Sequence, residues 1–189
     1  MNISESEKLT LLMLCDLYKK LEIEGKDNEG YFDSKLIHSA IDTDNAWAIA
    51  FKYSHIFRDS DRPEYVLETE SIMAMWEHIE RSYASLSCDD KEELVAKIGN
   101  KGDNPTFMGF DTNNESLYHS AASFFVKELK LFPTFNERSL CAIEETVNQY
   151  NGMVRTYNNL DPSSYGRDLS LEELALILGS EEAGPFDWV

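Results

Sequence analysis

Three oxygen-bearing side chains, Asp111, Asn113 and Glu115, stand at alternate positions in the stretch FMGFDTNNES. That spacing is how a calcium-binding loop begins. Such a loop also needs Gly at its sixth position and a bidentate Glu at its twelfth. Counted from Asp111, those positions hold Ser116 and Ala122, so calcium is excluded. Helix initiation explains the same residues better. Thr112 and Glu115 have the S/T-x-x-E spacing of a capping box, and Asp111 can accept from its own following backbone in an Asx turn. Capping gives no reason for two consecutive asparagines, Asn113 and Asn114. Glu115 and His119 are four apart, so both would project from one helix face. A zinc or iron site needs at least a third protein ligand. The nearest is Asp111, which is wanted as a cap, so neither metal nor cofactor is expected. Ligand-binding candidates here are Asp111, Asn113, Asn114, Glu115 and His119.

Elsewhere the signals for chemistry are weaker. His38, His55 and His78 have no H-x-x-x-H or H-x-H companion and read as structural or exposed. Cys15, Cys88 and Cys141 lack the spacing of a zinc knuckle or a redox C-x-x-C. Cys15 and Cys141 lie beside apolar helical residues and read as small buried hydrophobes. A nucleophilic pair could assemble between Cys88 and a histidine, but no spacing points to one. The chain has no phosphate-binding P-loop, no dinucleotide fingerprint and no G-x-S-x-G elbow. A helix-turn-helix imagined over DSKLIHSAIDTDNAWAIAFKY would lead with Asp42 and Asp44, the wrong charge for phosphates.

These residues must be carried by helices. Ser4 and Glu7 have capping-box spacing for a first helix in which Leu11, Leu14, Cys15, Tyr18 and Leu21 share a face. Leu9, Leu12 and Met13 broaden that face, which predicts burial between several neighbours. A short helix follows over 34–41, led by Asp33, and another over 45–53. Pro63 suits the first turn of the longest helix, along which Ile72, Trp76, Ile79, Tyr83 and Leu86 recur at steps of four and three. Ser87 with Asp90 opens a short acidic helix that Gly99 can end. Past the irregular stretch NKGDNPTFMGFDTNN, one helix is lined by Leu117, Ala121, Phe124, Phe125 and Leu129. The next is lined by Leu140, Ile143, Val147, Tyr150, Val154 and Tyr157, and a last one opens at Ser170 and Glu173. No stretch sustains strand alternation, so the periodicity predicts an all-α, single-domain bundle of seven or eight helices. The two long seams run for only about two and a half heptads, which favours core helices over dimer zippers.

Charge narrows the partners. Seventeen Lys and Arg against 35 Asp and Glu give −18, a surface that repels nucleic-acid phosphates and anionic lipid heads. Direct nucleic-acid or membrane binding is therefore not expected, and the opening residues lack a secretory leader, which points to the cytoplasm. The end of the chain, EEAGPFDWV, puts Phe186, Trp188 and Val189 after acids. Docking on this protein, on a copy of it or on a partner groove is favoured over fraying.

Five segments occur in the order found in the YfbU family of bacterial proteins: EKLTLLMLCDLYKKL, SAIDTDNAWAIAFKY, MWEHIERSYASL, FMGFDTNNE and YNGMVRTYN. The chain resembles that family from about Ser4 to Leu178, most specifically over Phe107–Glu115. The resemblance implies an all-helical cytoplasmic protein over residues 1–179, and the acidic, aromatic tail at 180–189 lies outside the shared pattern. It implies no catalytic residue, cofactor or activity. Lys130–Leu131 stand before Phe132 where relatives tend to carry Gly-Arg. Ser139–Ile143 (SLCAI) stand where many have an Asn-Ser-His-Met-Pro run, so no site using that arginine or histidine carries over.

The leading expectation is a non-enzymatic interaction or regulatory protein acting through protein contacts, as a homodimer or with a protein partner. The rival is an enzyme or ligand-binding protein whose pocket lies at residues 107–119, beside Trp47, Trp76 or Tyr118. A third reading is an acidic mimic of DNA, which would compete with DNA for a DNA-binding protein.

Overall fold

Pro63 has no backbone N–H to lose, and it leads the longest helix, α4 (Glu64–Ser85). The computed structural model describes residues 3–21, 32–57, 62–161 and 166–182. Among these are eight α-helices and one parallel pair of two-residue strands, an all-α architecture. Ile72, Trp76 and Ile79 are buried, so the α4 seam is core and not a zipper.

Helix α1 (Glu5–Lys20) begins with the expected capping box, Ser4 and Glu7 satisfying each other's backbone N–H. It packs against α2 (Ser34–Asp42), whose N-cap Asp33 accepts from the Leu36 N–H at 3.0 Å. The expected burial of α1 between several neighbours is wrong. Cys15 is its one buried residue, while Leu9, Met13, Leu14, Leu17 and Leu21 stand 40–63% exposed. With α2 on one side, the apolar residues pointing away from it have nothing described to bury them.

Helix α3 (Trp47–Lys52) is tied to the body through Asn45, which accepts from the Trp47 indole N–H and donates to Ser120 Oγ, both at 2.9 Å. Helix α5 (Cys88–Ile98) ends at Gly99, whose φ of +67° is open to glycine. Helices α6 (Ser116–Lys127) and α7 (Val147–Asn158) both lie on α4. Helix α8 (Leu171–Leu178) carries the expected Ser170–Glu173 capping box and packs on α5 and α7. Phe186, Trp188 and Val189 lie outside the described residues. No described helix is long and apolar enough to cross a membrane.

Strands β1 (Phe110–Asp111) and β2 (Cys141–Ala142) pair in parallel, Phe110 opposite Cys141 and Asp111 opposite Ala142. The expectation of one helix running from Leu140 through Tyr157 is corrected here. The Leu140 carbonyl accepts from the Phe110 N–H at 2.9 Å, and Ile143 is 95% exposed. Backbone pairing thus overrides side-chain periodicity until Val147, where α7 starts.

Candidate functional site

The segment 107–119 lies where β1, α6 and the start of α7 meet. Several of its backbone donors are engaged by side chains. The Phe107 N–H donates to Glu80 Oε1 at 2.7 Å, and Arg138 bonds both Glu80 and the Phe107 carbonyl. The Met108 N–H donates to the Tyr150 hydroxyl at 3.3 Å. Burial pushes that phenol up to about 12, so it stays protonated at neutral pH. Beneath the segment, Phe107 sits 5.0 Å from Phe135, 5.5 Å from Phe110 and 5.6 Å from Tyr150, measured between ring centroids. Buried rings at these separations add packing energy to the area they hide from water.

Glu115 is the centre of the arrangement, and in a different role from the expected one. Helix α6 begins at Ser116 without a side-chain cap, and Thr112 is exposed, so the Thr112–Glu115 capping box is not formed. Glu115 Oε1 accepts from the N–H groups of Thr146 and Val147, both at 2.7 Å. Its Oε2 accepts from the Asp111 N–H at 2.9 Å and the Thr146 hydroxyl at 3.1 Å. The buried carboxylate therefore caps α7, whose own N-cap Thr146 makes no such bond. A negative charge there also meets the positive end of the α7 dipole.

The two asparagines have a matching explanation. Each donates a backbone N–H and a side-chain N–H to the buried Asp111 carboxylate, Asn113 to Oδ1 at 3.1 and 3.3 Å, Asn114 to Oδ2 at 3.2 and 2.7 Å. These bonds hold the Asp111 carboxyl below its ordinary range, the Asn113 backbone N–H contributing most. The expected Asx turn is present, doubled by the amides. Four donors converge on Asp111 and four on Glu115, which uses the lone pairs a cation would need.

His119 diverges from Glu115. Its Nε2 lies 3.3 Å from Sγ of Cys141 on β2. Burial, aided by the Lys127 charge, lowers the imidazole, so it is neutral at pH 7. Cys141 is exposed, not a buried hydrophobe as its neighbours suggested, because it sits on an edge strand and not within a helix. Among the described residues no three His, Cys, Asp or Glu side chains gather as a metal would need.

A cavity of about 200 Å³ opens beside the segment, lined by Trp76, Lys101, Thr106, Met108, Thr146 and Tyr150 among others. None of Asp111, Asn113, Asn114, Glu115 and His119 lines it. The Trp76 indole N–H is buried without an acceptor. The other aromatic candidates are engaged elsewhere: Trp47 with Asn45, and the Tyr118 hydroxyl with the buried Glu68 carboxylate, which Asn151 also bonds at 3.2 Å. Glu68, Thr146 and Cys141 carry no motif, and only the fold brings them to the site.

Nearly the whole chain, not this segment alone, matches a known family: the YfbU domain model covers residues 1–180. The chain belongs to the YfbU family. No curated protein and no solved structure matches it. Within this YfbU chain the Asp111–Glu115 segment joins three elements, and beside it His119 Nε2 and Cys141 Sγ are in contact.

Proposed function

We propose that this YfbU protein is a non-enzymatic interaction protein of the cytoplasm, working through protein contacts as a homodimer built on α1. The exposed row Leu9, Met13, Leu17 and Leu21, with Leu14 at its edge, supports this reading. Single exposed leucines are ordinary, but five large apolar side chains on one helix form a patch of the kind that partners cover. Full burial of such a side chain is worth about 1.5–3 kcal/mol, and with 40–63% of each still exposed roughly half of that is left for a partner to gain.

Charge at the two ends of α1 favours an antiparallel orientation for a second copy on this row. The first turn of α1 carries Glu5 and Glu7, and its last turn carries Lys19 and Lys20. An antiparallel pair centred near Met13 sets Leu9 against Leu17 and brings Glu5 of one copy beside Lys20 of the other. A parallel pair would oppose like charges at both ends.

Sedimentation of the full chain tests the reading, beside a variant with Leu9→Gln, Met13→Gln and Leu17→Gln. All three positions are exposed, so the variant keeps its helical circular dichroism. The wild type sediments at twice the chain mass at micromolar concentration and the variant at the chain mass. A wild type that stays monomeric to about 100 µM, far above the range of specific dimers, overturns it.

The cavity under Trp76 supports a second reading, a small-ligand protein. A buried indole N–H without an acceptor favours a ligand bearing a carbonyl or carboxylate oxygen. Native mass spectrometry of protein taken from cells checks this, since a bare polypeptide mass speaks against it.

A further inference from the structure

We propose that Cys141 is the chain's reactive thiol, a site for oxidation by peroxides or alkylation by small electrophiles, with His119 as its proton acceptor. This inference rests on a different part of the molecule from the α1 surface and stands or falls separately.

Two features carry it. The first is the 3.3 Å contact between Cys141 Sγ and His119 Nε2, within reach for proton transfer, on an exposed residue. The second is that regular structure holds both partners. Cys141 is fixed by the pairing of β2 with β1, and its N–H donates to Ser139 Oγ at 3.3 Å. His119 lies in the first turns of α6, its N–H bonded to the Glu115 carbonyl at 3.0 Å, and Glu115 is itself locked to α7. Neither side chain has to be recruited from a free loop, so the geometry stands ready before any reagent arrives. Half-burial keeps the imidazole neutral and able to accept.

The other cysteines differ. Cys15 is buried. Cys88 is exposed at the start of α5, and among the described residues no histidine contacts it.

With hydrogen peroxide the chemistry balances without a further reactant. The Cys141 S–H proton passes to His119 Nε2, and the sulfur electron pair attacks one peroxide oxygen. An S–O bond forms as the O–O bond breaks. The departing hydroxide takes the proton back from His119 and leaves as water. Sulfur is oxidised by two electrons to the sulfenic acid, the peroxide is reduced, and the imidazole returns to its neutral form.

The test uses the full native chain, limiting hydrogen peroxide with dimedone trapping, and in parallel iodoacetamide, read by peptide mass spectrometry. Cys141 is labelled about tenfold faster than Cys88 by either reagent. His119→Gln brings the Cys141 rate down to that of Cys88 and leaves the Cys88 rate unchanged, and the buried Cys15 stays unlabelled, which shows that the variant is folded. Equal rates at Cys141 and Cys88 in the wild type overturn the proposal whatever the variant does. A Cys141 rate that His119→Gln does not lower overturns the role of the histidine as acceptor.

Discussion

At the scale of single residues, Glu115 shows one carboxylate serving a helix 31 residues downstream instead of its own. Its removal strands the N–H groups of Thr146, Val147 and Asp111 in a buried place. Each such loss costs about 1–3 kcal/mol, so Glu115→Ala destabilises the chain by about 3 kcal/mol or more. Glu115→Gln keeps an amide oxygen for two of the donors but turns its NH2 toward the others, and loses about half as much. Urea unfolding checks both, as a lower midpoint with an unchanged slope. An Ala variant within about 0.5 kcal/mol of wild type would show that the latch is not formed. What could be seen in the sequence follows from reach. The Asx turn at Asp111 was legible because its donors lie two and three residues on. The partners of Glu115 were not, because they are far along the chain and are mainly backbone groups, which any sequence supplies. Cys141 was misread for a related reason: its apolar neighbours speak of a helix, and the backbone is paired with Phe110 instead.

At the scale of elements, periodicity identified the helices but not the short parallel pair, since two residues have no period to display. Gly109 is the residue that allows the pair. Its φ is +86°, and a Cβ there would sit 2.1 Å from both the carbonyl carbon and oxygen of Leu140. Backbone must move, in a conformation that side chains already disfavour. Gly109→Ala therefore costs about 3 kcal/mol or more, and the melting midpoint drops by roughly 6–12 °C. Gly99→Ala is the control: φ is +67° with ψ −146°, a backbone that favours glycine, but nothing lies within 4 Å, so the variant incurs only the backbone strain of about 1–3 kcal/mol. Equal shifts for the two variants would mean that β1 does not approach β2 as closely as described. The wide apolar face of α1 taught a second lesson. Its amphipathic pattern is satisfied equally by several neighbours within the chain and by a second copy, and sequence alone does not choose.

At the scale of the whole molecule, the charge of −18 distinguishes the two kinds of partner that an apolar α1 face could meet. Two copies repel over their whole surfaces, whereas the Glu5–Lys20 pairs across an antiparallel interface are exposed and worth about 0–1 kcal/mol each. The screening length shrinks from about 30 Å at 10 mM salt to about 8 Å at 150 mM. Long-range repulsion is removed over that range, while burial of Leu9, Met13 and Leu17 is untouched. Self-association therefore tightens as sodium chloride rises from about 10 to 150 mM. A basic protein partner would behave in the opposite way, since the attraction that steers it to an acidic surface is the one that salt screens. Sedimentation of the full chain at both salt concentrations, with the protein concentration fixed near the dissociation midpoint, reads the sign directly. A dimer fraction that rises with salt fits α1 paired through its apolar row. A fraction that falls would place salt bridges, not leucines, at the centre of the interface and would move the contact away from Leu9, Met13 and Leu17.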